Sequence, residues 1–166
     1  METAYIKTPL GIAKIMGDEN GISVISVSDE GDTRAKLELA KQISNTIPIV
    51  LQEAVSQLND YFEGKRTDFT IKLNPSGTEF QQKVWRELLE IPFGKTISYL
   101  ELSKKLGDVK AIRAVASADG KNPLWIVVPC HRVIGTDGSL TGYAGELWRK
   151  KWLLEHENPS KQESLF

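Results

Sequence analysis

Two hydrophobic periodicities meet at Asn74-Pro75-Ser76-Gly77, and that break restricts the chain to folds with two unlike halves. Upstream, residues 5–8, 11–16 and 22–28 alternate apolar and polar side chains as half-buried strands do, with Asp18-Glu19-Asn20-Gly21 as the turn between the last two. The spacing predicts an antiparallel sheet, then helices over 34–44 and 49–62 and a strand over 68–73. Strands followed by helices make a small α+β unit. We expect domains at 1–74 and 75–157, with 158–166 a polar tail. At 166 residues and 40% hydrophobic composition, the chain has enough apolar surface for a real core.

Downstream of the break the pattern is helical. Thr78-Glu79-Phe80-Gln81 is a capping box, in which the Thr hydroxyl and the Gln amide satisfy backbone N–H groups that a helix start leaves unpaired. Phe80, Val84 and Leu88 then fall on one face, predicting a buried stripe that ends at Pro92-Phe93-Gly94. Ser98-Tyr99-Leu100-Glu101 is a second capping box, and the helix it opens stops at Gly107. Asp108 can cap a third helix from Val109 to about Ala118, which gives helix-turn-helix spacing. Ala111, Ala114, Ala116 and Ala118 keep this third helix thin, with one Arg, one Ser and no Asn or Gln after its first turn. A thin helix suits the minor groove, where sequence information is poor, so the expected DNA contact carries little sequence preference.

Charge follows the same division. The chain is −1 overall, but residues 1–75 carry 8 basic and 11 acidic side chains, whereas residues 76–157 carry 12 and 10. Between 83 and 132 the count is 9 basic against 5 acidic, a local excess of the kind phosphate contact requires. No apolar run approaches the length of a membrane span, and residues 1–8 lack a secretory layout, so a cytoplasmic protein is expected.

Chemistry concentrates in residues 122–133. Leu124 to Val128 is an apolar run of strand length, and Pro129 would make its end rigid where Cys130 emerges. This is the only cysteine, so no internal disulfide can form, and with His131 and His156 it is too little for structural zinc. An ordinary thiol is only about 3% thiolate at neutral pH, so a nucleophilic role needs a cation or general base, and His131 is the candidate. In an extended segment neighbouring side chains diverge, so contact demands a turn or a bridging water. A distant carboxylate could hold the second ring nitrogen.

Pro129-Cys130-His131-Arg132-Val133 resembles the active-site signature of the O6-alkylguanine-DNA alkyltransferases, also called methylated-DNA-protein-cysteine methyltransferases. The resemblance extends through residues 80–89, Gly94-Lys95-Thr96-Ile97-Ser98-Tyr99, Arg113-Ala114-Val115, Asn122-Pro123 and Trp152-Leu153-Leu154-Glu155-His156-Glu157, covering 76–157. It implies a ribonuclease-H-like α+β amino-terminal domain with an antiparallel sheet and flanking helices. The carboxy-terminal domain it implies is mostly α, winged-helix-like, with a helix-turn-helix. It also implies that Cys130 accepts the alkyl group, activated through water by His131, which Glu157 orients. Asn122 would brace the active-site turn, and Tyr99 would give a proton to the departing guanine. Arg113 would fill the base stack when the damaged nucleotide is turned out, beside Ala111, Ala114 and Ser117 on the same helix. Val133, Tyr143 and Ala144 would meet the base, Tyr143 and Ala144 from the loop Gly142-Tyr143-Ala144-Gly145 that closes the pocket.

Some relatives carry Ser where this chain has Ala144, which leaves only a backbone N–H for that contact. Some also hold zinc in the amino-terminal domain, for which this chain lacks the cysteines. The implied partner is duplex DNA containing O6-alkylguanine, with O4-alkylthymine as a further candidate lesion. No cofactor, no metal and no membrane partner are expected, and the chain is expected to act as a monomer. The competing readings are a damage-binding protein without chemistry, a thiol hydrolase and a transcription factor.

Overall fold

The computed structural model describes residues 1–28, 43, 45–140, 143 and 146–159. Nearly all of the helix expected over 34–44 lies outside the described residues, as do Ala144, its neighbours Gly142 and Gly145, and the tail beyond 159. The chain forms two compact units, Met1–Ser76 together with Pro123–Trp125, and Gly77–Asn122 together with residues from Ile126 onward.

In the first unit, β1 (Glu2–Thr8), β2 (Gly11–Asp18) and β3 (Gly21–Ser28) form an antiparallel sheet in the order β1-β2-β3. Their alternation has the period expected of a half-buried sheet: Ala4, Ile15 and Ile25 stand in one cross-strand row and are all fully buried. Helix α1 (Ile49–Phe62) covers the sheet with Leu51, Ala54, Leu58 and Tyr61, spaced to share one helical face. Residues 68–73 do not form the expected strand; only Leu73 bridges to Ile22, flanked by Ile22 N donating to Lys72 O and Asn74 N to Ile22 O. One cause is Gln57, whose amide accepts from the Thr70 backbone N–H and donates to the Thr70 hydroxyl, so a side chain takes the place of a neighbouring strand.

The second unit begins at the predicted capping box, with Thr78 and Gln81 bonded reciprocally at the start of α2 (Glu79–Leu88). Val84 and Leu88 are buried as expected, but Phe80 is 39% exposed. The stripe passes instead through Trp85, whose indole N–H donates to Ala118 O and whose ring lies against Gly77, where a Cβ would stand 2.4 Å from it. Helix α3 (Tyr99–Lys105) is capped by the Ser98 hydroxyl. Gly107, at φ +89°, makes the left-handed stop. Asp108 caps the next element, which opens as a 3-10 turn (Val109–Ala111) before α4 (Ile112–Gly120). The final helix, α5, is Leu147–Glu157.

The apolar run from Leu124 to Val128 is buried at four of its five positions but is not a strand, contrary to its pattern. Only Leu124 bridges, to Ile25; Ile126 then takes φ +75°, a strained conformation for a β-branched residue, and turns the chain. Continuous hydrophobicity reports burial, and a buried turn satisfies it as well as a strand does. Among the described residues no helix is long and apolar enough to cross a membrane.

Candidate active site

Cys130 lies in a 3-10 turn, Cys130–Arg132, so the chain does turn where side chains of an extended segment would have diverged. The turn is fixed from both sides. Cys130 N donates to Val128 O at 2.8 Å and Arg132 N to Pro129 O at 3.0 Å. From the end of α4, the Asn122 amide donates to the same Val128 oxygen at 2.8 Å and also hydrogen-bonds the Cys130 side chain. Beyond the turn, β5 (Val133–Ile134) pairs in parallel with β4 (Ile97–Ser98), which delivers the chain directly into Tyr99.

Behind the cysteine, the fully buried His131 donates from Nε2 to Glu157 Oε2 at 2.7 Å, the tautomer an ionised carboxylate requires. Nδ1 has no hydrogen-bond partner among the described residues. Arg132 closes on the same carboxylate as a fork, Nε to Oε1 at 2.7 Å and Nη2 to Oε2 at 3.0 Å, while Nη1 donates to Ile91 O. Burial alone would raise the Glu157 carboxyl, but the His131 ring and the Arg132 guanidinium hold it well below the usual carboxylate range. Its position is set by the end of α5, where the Asn158 amide donates to Gly94 O and Gly94, at φ +81°, leaves only 3.2 Å for a Cβ against Glu157 O.

In front of the cysteine the surroundings differ from expectation. Cys130 is 4% exposed, and burial, with the nearby Asp119 carboxyl, pushes its thiol up to about 12 against the opposing pull of Asn122 and Lys150. The imidazole neighbour therefore does not give a standing thiolate. Three further buried groups complete the surroundings. Tyr99 OH reaches Asp119 Oδ2 at 3.5 Å. Lys150 Nζ donates to Val133 O at 2.7 Å and lies 5.9 Å from the centre of the Tyr99 ring. Burial pushes Asp119 up to about 8, with Lys150 and Tyr99 opposing, and pushes Lys150 down, with Asp119 and Cys130 opposing. Tyr143, half-buried as a residue, has its phenol raised well above its ordinary range by burial.

Helix α4 presents a separate face. Arg113, Ala114 and Ser117 are exposed in a continuous stripe with Lys110, and Ala111 is half-buried beside them, while Val115, Ala118 and Asp119 face inward. Cys130, His131, Glu157, Asn122 and Tyr99 thus belong to one buried set with Val133, and Arg113, Ala114 and Ser117 to an exposed one. Ala144 lies outside the described residues. Sequence reasoning missed Arg132 as a partner of Glu157, and missed Asp119 and Lys150 altogether. Lys150 carried a signal, since it precedes Glu157 by two helical turns and shares its face with Leu153 and Leu154; Asp119 carried none. Among the described residues, no three His, Cys, Asp or Glu gather as metal ligands.

Two family models account for nearly the whole chain: the ribonuclease-like domain of 6-O-methylguanine DNA methyltransferase matches residues 1–75, and the DNA binding domain of the same family matches residues 79–159. The chain belongs to the 6-O-methylguanine DNA methyltransferase family. It is 42% identical to a methylated-DNA--protein-cysteine methyltransferase of Methanosarcina acetivorans, over 95% of this chain and 98% of that one. A relative of the same description from Mycobacterium tuberculosis is 53% identical over 66% of this chain and 67% of its own. Among solved structures, an O6-methylguanine methyltransferase of Mycobacterium tuberculosis superposes with a TM-score of 0.79 at 40% identity, covering 95% of this chain and 93% of that one. The protein from that organism crystallised in complex with DNA gives 0.81 at 39% identity, covering 100% and 99%.

Proposed function

We propose that this chain repairs DNA directly, taking the alkyl group from the 6-oxygen of guanine in duplex DNA and keeping it on Cys130, once per molecule. The observation that carries the reading is the buried His131, in the residue after the only cysteine, tied through Nε2 to Glu157 and with Nδ1 unpartnered among the described residues. That arrangement is a general base without a standing thiolate: the thiol proton leaves toward Nδ1, directly or through water, only as the alkyl carbon arrives. The Sγ–carbon bond then forms as the carbon–oxygen bond breaks, and the electron pair passes to the purine, which takes a proton from the Tyr99 hydroxyl. Glu157 stabilises the resulting imidazolium, and Arg132 holds that carboxylate in place. A thioether is too poor a leaving group for water to restore the thiol, so the protein is consumed.

An atom inside a duplex cannot reach a buried thiol, so the nucleotide must be turned out. Arg113 suits the vacated stack, with Ala111, Ala114 and Ser117 letting the helix approach closely, and Asn122 braces the turn. Val133, Tyr143 and Ala144 would bound the base. In this reading residues 1–74 are a scaffold, residues 75–157 bind DNA and accept the alkyl group, and the protein works in the cytoplasm as a monomer without cofactor. Incubation with a duplex containing O6-methylguanine should add one methyl mass to the Cys130 peptide. An unchanged mass with a verified substrate would refute the reading, and turnover beyond one equivalent would favour a thiol hydrolase.

A further inference from the structure

Asp119 is an acid where a mostly apolar interior would not tolerate one without a reason. It is 2% exposed, on the inward face of α4, and its Oδ1 has no hydrogen-bond partner among the described residues. Its other oxygen stands 3.5 Å from the Tyr99 hydroxyl, long for an O–H···O bond, as contacts that tighten only in a reactive complex often are. Among the described residues, the groups that act on it electrostatically are Tyr99 from α3, Lys150 from α5, the Cys130 thiol from the 3-10 turn, and Tyr143. From α2, Trp85, which has no charge, donates its indole N–H to the preceding residue's carbonyl.

The direction of the Tyr99 hydrogen depends on the state of this carboxyl. An ionised carboxylate is acceptor-only, so it takes the phenolic hydrogen for itself; a protonated one can donate to the phenol oxygen and leave that hydrogen free. We propose that Asp119 is a positioning residue which, in its protonated form, donates to the Tyr99 oxygen and turns the Tyr99 hydroxyl toward the departing purine, so that alkyl transfer slows as Asp119 ionises. The inference rests on the alkyl-transfer reading above. Burial raises this carboxyl to about 8, which puts the change of state within the working range of pH, and Lys150 is placed to receive the anion once it forms.

The test is the single-turnover rate of methyl transfer from an O6-methylguanine duplex, followed on the full chain across about pH 6.5 to about pH 9.5. The wild type should lose roughly tenfold or more on the alkaline side, and Asp119→Asn should keep its neutral rate within about threefold while losing that alkaline fall, because the amide can donate to the phenol oxygen at any pH. Tyr99→Phe should be slower throughout and equally free of the fall, a readout that remains if Asp119→Asn folds poorly. An alkaline fall retained by a folded Asp119→Asn, or by Tyr99→Phe, overturns the proposal while leaving Cys130 as acceptor. A wild type that transfers nothing at any pH overturns the acceptor reading and this inference with it.

Discussion

Burial keeps Cys130 in the thiol form, and this has a direct chemical consequence. With its thiol pushed up to about 12, the folded protein without DNA should react with iodoacetamide about a thousandfold more slowly than a free thiol at neutral pH, and unfolding in urea should restore the ordinary rate. Labelling kinetics followed by mass would check both values. Glu157 is the opposite case, a carboxyl held below its ordinary range, so its contribution to stability is fully present above about pH 4 and is lost as pH falls toward its lower folded value. Glu157→Gln should therefore lose about 3–5 kcal/mol at neutral pH, because Arg132 is left buried without its counter-charge, and should show a shallower loss on acidification. Urea unfolding at several pH values gives both. Cys130 and His131 were legible in the sequence because they are adjacent, and Glu157 through the family's spacing. The fork from Arg132 and the acid at Asp119 were not, because burial and pairing across 25 or 20 residues leave no local mark.

Among the elements, those with local chemistry were readable and those defined only by apolar content were not. Both capping segments, the stop at Gly107 and the cap at Asp108 depend on side chains bonding their own neighbours, and each stands where the spacing placed it. Residues 124–128 and 68–73 depend on which distant backbone they meet, and neither became a strand. Thr78→Ala should accordingly cost about 1 kcal/mol, seen as a lower denaturant midpoint. The exposed stripe of α4 makes a different prediction. Ala114→Glu sets a carboxylate where phosphates would approach, so it should weaken duplex binding roughly tenfold or more, in a salt-dependent way, with stability changed by no more than about 0.5 kcal/mol. Arg113→Ala should slow methyl transfer from duplex far more than from a free base analogue; equal losses in the two assays would remove the stacking role.

At the level of the whole molecule, the order of the chain and the order of the fold differ. The open edge of β3 is covered twice, at Ile22 by residues 72–74 and at Ile25 by Pro123 and Trp125, which limits the unpaired backbone through which sheet edges join other chains. Trp125→Pro removes the donor to Ile25 O and should cost about 1–3 kcal/mol, with faster amide exchange along β3 by mass-detected hydrogen exchange. The site around Cys130 is likewise completed late, since Glu157 is the last residue of the last described helix and Asn158 fastens that end to Gly94. On the ribosome, the exposed stripe of α4 and the thiol are therefore both made before Glu157 can hold His131, the base of the proposed reading, in place. On that reading, a product terminated between Val133 and Glu157 would retain the residues proposed to grip DNA and lack the means to mend it, becoming an obstruction on the lesion.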